Sequence, residues 1–174
     1  MNLGFNYILN IPLKSLESFN IEKNTLIPNK WKLLLMNDGS FTQNLNSLTN
    51  EQIITLPIYK ENQYLIKKRK IRNIYLTNNS NQYLAFARSY WILNINHQIH
   101  NNLINNQPVG QLFINHQTDI YKDIHEIYYV YSAFLENTFK SLGPVWGRKY
   151  TIYYRYKPII TLQEFFSPYL INFF

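Results

Sequence analysis

The sequence predicts an α+β domain built on an antiparallel sheet, and three observations carry that prediction. The chain has 174 residues, of which 46% are hydrophobic, enough apolar side chain for the core of one domain. At least five strand-like runs, rich in β-branched and aromatic residues, are set off by short Asn-, Ser- and Pro-containing turns, the pattern of hairpins. Only a few short helical segments lie between them, and strands of this length need helices over one face of their sheet.

The elements follow in chain order. Residues 29–36, with Trp31-Lys32-Leu33-Leu34-Leu35-Met36, predict a short helix that stops at Asn37-Asp38-Gly39. Ser40-Phe41-Thr42 opens a second helical stretch through Leu45. Residues 51–59 read as a strand, and Pro57 marks it as an edge or a bulge. The runs Tyr64–Thr77 and Gln82–Asn94 form a hairpin around Asn78-Asn79-Ser80-Asn81. Residues 96–106 read as a polar helix ended by Gln107-Pro108-Val109-Gly110. Within 123–136, Ile127-Tyr128-Tyr129-Val130-Tyr131 favours a strand. Arg148–Tyr156 and Ile159–Phe166 form a second hairpin with a turn at Lys157-Pro158, closed by Ser167-Pro168. No internal repeat and no linker interrupts the chain, so 1–174 is read as a single domain.

Composition removes several classes of function. Cysteine is absent, which excludes disulfides, thiol nucleophiles and cysteine-based metal centres. The 5 glycines form neither a GxGxxG nor a P-loop pattern. No apolar run is long enough to cross a membrane, and the first residues read as neither a signal nor a transit peptide. His97, His100, His116 and His125 have no carboxylate at a matching spacing and read as exposed histidines, so no metal is expected. The net charge of +7 suits an anionic partner. An AT-rich codon bias, visible in the abundance of Asn, Ile, Lys and Tyr, is the competing source of that charge. It also suggests a compact genome such as that of a plastid or a reduced bacterium.

Two features point to chemistry. Glu164 lies in Thr161-Leu162-Gln163-Glu164-Phe165-Phe166, and alternation places it on one strand face with Leu162 and Phe166. A carboxylate on an apolar face is either salt-bridged to a neighbouring strand or functional. The basic run Lys67-Lys68-Arg69-Lys70-Ile71-Arg72 reads mainly as a solvated edge. Within it, Arg72 comes nearest the apolar positions Ile74 and Leu76. No RNP-type aromatics and no recognition helix accompany the run, so nucleic acid is not expected as a partner.

Taken in order, these pieces resemble the chorismate lyase (chorismate pyruvate-lyase) family and its plastid and cyanobacterial relatives. The matching motifs are Trp31-Lys32-Leu33-Leu34-Leu35 with Ser40-Phe41-Thr42, Arg72-Asn73-Ile74-Tyr75-Leu76, Tyr83-Leu84-Ala85, Pro108-Val109-Gly110, Trp146-Gly147-Arg148, and Lys157-Pro158 with Gln163-Glu164-Phe165-Phe166-Ser167-Pro168. They span residues 29–168. The resemblance implies an antiparallel sheet with flanking helices around a buried ligand cavity, and no metal or organic cofactor. It places Glu164 on the family's essential glutamate and Arg72 on the arginine that holds a ligand carboxylate. It places Val109 and Phe41 on apolar ligand contacts, across a two-residue gap near Asp38 for Phe41. The family arginine after the Leu-Ala pair falls on Ala87, with Arg88 next door as the candidate replacement.

The implied activity is a cofactor-independent carbon–oxygen lyase converting chorismate to 4-hydroxybenzoate and pyruvate. A carboxylate in an apolar pocket suits a proton shuttle, and a guanidinium holds a carboxylate with two parallel bonds. The alternative is a non-catalytic aromatic-acid effector domain of the same fold. The expected partners are chorismate and its product alone, with the chain a monomer in the plastid stroma, or in the cytoplasm if bacterial.

Overall fold

The structure, a computed structural model, describes residues 4–13, 26–58, 69–92 and 120–174. The described strands are β1 (Asn6–Pro12), β2 (Ile54–Pro57), β3 (Arg69–Thr77), β4 (Tyr83–Ile92), β5 (Ile120–Tyr131), β6 (Val145–Tyr154) and β7 (Lys157–Phe166). They form one seven-stranded sheet in the order β1-β5-β6-β7-β4-β3-β2, with every neighbouring pair antiparallel. The helices are α1 (Asn29–Leu35), α2 (Phe41–Thr49) and α3 (Ala133–Phe139), followed by a 3-10 turn at Pro168–Phe173. This is the α+β class that the sequence predicts.

Partners in an antiparallel ladder point to the same face. One row therefore crosses all seven strands on one side: Ile11, Ile127, Arg148, Glu164, Ala87, Ile74 and Pro57. Helices α1 and α2 cover this face, and Trp31, Leu34, Leu35, Phe41 and Leu45 pack against Ile11, Ile74, Ala87, Ile127 and Phe166. The apolar positions of α1 and α2 recur at helical spacing, so each helix turns one stripe to the sheet. Ser40 caps α2, its Oγ accepting from the Gln43 N–H. On the opposite face, α3 packs Leu135 and Phe139 against Phe86, Tyr128, Val130 and Phe165.

The short helix falls where the sequence places it, and so does the first hairpin over its described part, Arg69–Thr77 and Tyr83–Ile92, residues 64–68 and 93–94 lying outside the described residues. Asn78 and Asn81 close the hairpin: the Asn78 Oδ1 accepts from Gln82 N–H, and Asn81 takes a positive φ of 58°. Pro57 lies on β2, an edge strand. The strand reading of 123–136 holds through Tyr131, after which Ser132 starts α3. The polar helix at 96–106, the Pro108-Val109-Gly110 motif and His97, His100 and His116 lie outside the described residues.

The second hairpin turns two residues earlier than expected, at Arg155-Tyr156 rather than Lys157-Pro158. Arg155 and Tyr156 have φ of 47° and 62°, the left-handed pair of a two-residue hairpin turn. The sequence hides this because neither residue is the Gly or Asn that such a turn favours. Tyr156 is 99% exposed, so its side chain contributes no packing to offset the backbone strain. Tyr156→Gly is therefore expected to raise stability by about 1 kcal/mol, read as an increased urea midpoint at unchanged slope. A lowered midpoint would mean that the turn is not strained.

Candidate functional site

The β6–β7 register decides the chemistry of the covered face. It sets Arg148 directly opposite Glu164, and Tyr150 opposite Leu162 one step along. Arg148 Nε donates to Glu164 Oε2 at 2.8 Å, and the Tyr150 hydroxyl donates to Glu164 Oε1 at 2.8 Å. Arg148 is fully buried and Glu164 is 5% exposed. Arg148 Nη1 also donates to the carbonyls of Leu34 (2.9 Å) and Leu35 (3.3 Å), orphan acceptors at the end of α1, and of Asn37 (2.9 Å) just beyond it. One guanidinium thus caps a helix, compensates a buried carboxylate and packs within 5.6 Å of the Phe41 and Phe166 ring centres. Burial, reinforced by the neighbouring Glu164 charge, pushes the Tyr150 hydroxyl well above its ordinary value, so it stays a donor.

Glu164 lines a cavity of about 360 Å³ between the sheet and the start of α2. Phe41, Ile74, Leu76, Ala87, Ile152 and Leu162 supply apolar wall, and Asp38, Lys122 and Tyr150 supply polar atoms. The volume is within the range of about 300–1,000 Å³ usual for small-molecule sites. Among the described residues, no group of three His, Asp or Glu side chains is placed to hold a metal ion. His125 lies on β5 with its Nε2 2.8 Å from the Thr151 Oγ1. No described helix is long and apolar enough to cross a membrane.

The other residues singled out from the sequence are distributed as follows. Phe41 lines the cavity. Arg72 pairs in register with Ser89, which pairs with Leu162, so it lies on the cavity's face of the sheet, one row from Glu164, outside the residues that line the cavity. Arg88 pairs with Asn73 and Gln163 on the opposite face, where its Nε donates to Asn73 Oδ1 at 2.9 Å. Alternation puts Ala87, not Arg88, beside Glu164, so Arg88 lies away from the cavity. Val109 lies outside the described residues.

Arg148, which holds Glu164, and Lys122, which lines the cavity, are residues that sequence reasoning passed over. A turn at Lys157-Pro158 would have set Thr151 opposite Glu164 and hidden the pairing with Arg148. The Trp146-Gly147-Arg148 motif now has a physical account. Trp146 and Arg148 face the covered side, and Gly147 faces the other, opposite Tyr128. A Cβ on Gly147 would come within 2.5 Å of the Tyr128 ring and 2.6 Å of the Glu164 carbonyl oxygen. The Tyr128 hydroxyl in turn donates to the Arg148 carbonyl at 2.8 Å, so the ring braces the strand that carries the ion pair. Gly147→Ala is expected to lower stability by about 1–3 kcal/mol through overpacking against backbone. An unchanged thermal midpoint would show that this contact relaxes freely.

A buried carboxylate with two donors, set in the wall of a largely apolar cavity, is the candidate small-molecule site of this antiparallel α+β scaffold. The chain belongs to the family described as "Chorismate pyruvate-lyase Rv2949c-like", whose model matches residues 35–174. It is 46% identical over 172 residues to the uncharacterised protein ycf21 of Antithamnion sp., covering 98% of this chain and 94% of that one. It is 36% identical over 175 residues to ycf21 of Porphyra purpurea, covering 98% and 99%. Among solved structures, the gene product SA0254 of Staphylococcus aureus aligns with a TM-score of 0.48 and 12% identity, over 76% of this chain and 90% of its own.

Proposed function

We propose that the protein is a cofactor-independent carbon–oxygen lyase that converts chorismate to 4-hydroxybenzoate and pyruvate. The observation that carries this reading is the Glu164 carboxylate, buried at the wall of the cavity and held by Arg148 and Tyr150. The family description supports the substrate and the reaction class.

In the proposed reaction the proton on ring carbon 4 leaves, and its bonding pair forms the ring carbon 3–carbon 4 double bond. The ether bond at carbon 3 breaks, and its pair departs with the enolpyruvyl oxygen. The enolpyruvate then takes up a proton at its methylene carbon and becomes pyruvate. Aromatisation supplies the driving force, so the protein has to orient the ring and carry a proton. Glu164 is the proposed carrier. A carboxylate has about four lone-pair positions, and Arg148 and Tyr150 use two of them. Arg72 is the proposed anchor of the ring carboxylate, with Phe41 and Val109 as apolar contacts. The ycf21 relatives, plastid-encoded in red algae, support a plastid as the compartment.

One observation favours a second reading, a non-catalytic domain that binds aromatic acids. Both oxygens of Glu164 already have partners, as in a purely structural ion pair. Incubating the purified protein with chorismate separates the two: the lyase releases 4-hydroxybenzoate and pyruvate, and the binding domain leaves chorismate intact.

A further inference from the structure

Lys122 lies on β5 opposite Ile152, on the same sheet face as Glu164, and lines the cavity. Its Nζ donates to the carbonyls of Asn37 and Gly39, each at 3.1 Å, and stands 4.5 Å from the centre of the Tyr150 ring. An ammonium has three donors, and the two carbonyls use two. Among the described residues no carboxylate lies within ion-pair distance of it. A half-buried ammonium without an ionic partner, at the wall of a cavity, is a place for an anionic ligand group.

The sheet order places a second cation on the same face. Lys122 on β5 and Arg72 on β3 flank β7, which carries Glu164, at two strands on each side. At about 4.8 Å per strand their Cα atoms stand roughly 19 Å apart, a gap that two long cationic side chains and a ligand between them could span. The face thus carries a cation two strands to either side of the carboxylate.

We propose that Lys122 is the specificity-determining residue that holds the second carboxylate of a dianionic substrate, the one carried by the enolpyruvyl group, while Arg72 holds the ring carboxylate. This rests on reading the cavity as an aromatic-acid site. It accounts for a substrate that binds at two ends and a ring product that keeps only one of them. It also makes substrate binding pH-dependent. Burial, and then the charge of Arg148 on β6, lower Lys122 to about 8, against the opposing pull of Glu164 on β7 and Asp38 between α1 and α2. The ammonium is therefore lost from the free protein as pH rises through about 8, and dianion affinity declines with it. An arginine in its place stays charged throughout that range.

The test is calorimetric titration with two probes, 4-hydroxybenzoate and the unreactive dicarboxylate 3-[(1-carboxyvinyl)oxy]benzoate. The proteins are the wild type, Lys122→Met, Lys122→Arg, Arg72→Ala and the surface control Lys149→Met. Lys122→Met keeps the apolar stem and is expected to weaken the dicarboxylate about 10- to 100-fold, and 4-hydroxybenzoate less than about threefold. Lys122→Arg is expected to restore the preference, and to abolish the loss of dicarboxylate affinity, up to about tenfold, that the wild type shows between pH 7 and 9. Arg72→Ala is expected to weaken both probes, and Lys149→Met neither. Equal losses for both probes in Lys122→Met would make Lys122 only a brace for the 37–39 loop and overturn the inference, as would no loss at all. If the wild type binds neither probe, the aromatic-acid reading and this inference fall together. If it binds both but leaves chorismate intact, the lyase reading fails and the Lys122 assignment stands.

Discussion

Glu164→Gln is expected to lose turnover of chorismate by about 10²- to 10⁴-fold while still binding 4-hydroxybenzoate. The amide keeps the shape of the side chain and one acceptor for Arg148 Nε, but it cannot take up a proton. It also removes the negative charge that faces a fully buried guanidinium. The variant is therefore expected to melt at a lower temperature than the wild type, and both assays belong well below that midpoint. The carbonyls of Leu34, Leu35 and Asn37 still accept from Arg148, and three aromatic rings still surround it, so the fold survives the change. A variant with wild-type turnover would remove Glu164 from the chemistry. One that bound no 4-hydroxybenzoate at a temperature where it is folded would make the residue a binding group instead.

The largest effect on stability is expected at Arg148. Arg148→Met fills similar space but strands Glu164 as an uncompensated buried carboxylate, leaves the carbonyls of Leu34 and Leu35 without this donor, and leaves Asn37 with Lys122 alone. Breaking a buried pair in this way costs about 3–5 kcal/mol, or roughly 6–20 °C in midpoint for a chain of this size. The 37–40 segment, which Arg148 and Lys122 both tether at Asn37, loosens with it, and the cavity loses one wall. Combining Arg148→Met with Glu164→Gln is expected to recover part of the loss, because removing both charges leaves nothing unpaired. Arg148→Lys is expected to recover less than charge alone would suggest, since an ammonium cannot serve Glu164 and the end of α1 with a planar fork. A wild-type midpoint for Arg148→Met would show that the pair contributes nothing and that α1 is capped by other means.

What could be read in advance follows from where the physical signal lies. The side of the sheet that Glu164 faces was legible because alternation is local: Leu162, Glu164 and Phe166 must point together whatever lies across from them. Its partner was not, because register depends on the turn, and Arg155-Tyr156 adopts left-handed geometry without the residues that advertise it. The same dependence explains Arg88. A shift of one position along β4 exchanges faces, and only the pairing of Ala87 with Glu164 decides between them. Strand β1 left little trace because it is an edge whose only buried side chain is Ile11, so no alternation is written into it. Lys122 looks in sequence like any solvated lysine. Its role emerges only once β5 is paired with β6 and the 37–39 loop folds over it. Gly147 was conspicuous as part of a motif, but its reason, the Tyr128 ring across the ladder, is a contact between strands that the chain alone does not reveal.

In the proposed function this cavity carries out the elimination of pyruvate from chorismate, with Glu164 as proton carrier. The most direct measurement follows both products over time from purified wild-type protein and chorismate, with Glu164→Gln in parallel at a temperature where it is folded. The account predicts 4-hydroxybenzoate and pyruvate appearing in equal amounts at a rate proportional to wild-type protein, and neither rising above the uncatalysed background with Glu164→Gln. Chorismate left unchanged by wild-type protein that nevertheless binds 4-hydroxybenzoate would contradict it, and would make the protein a receptor for aromatic acids.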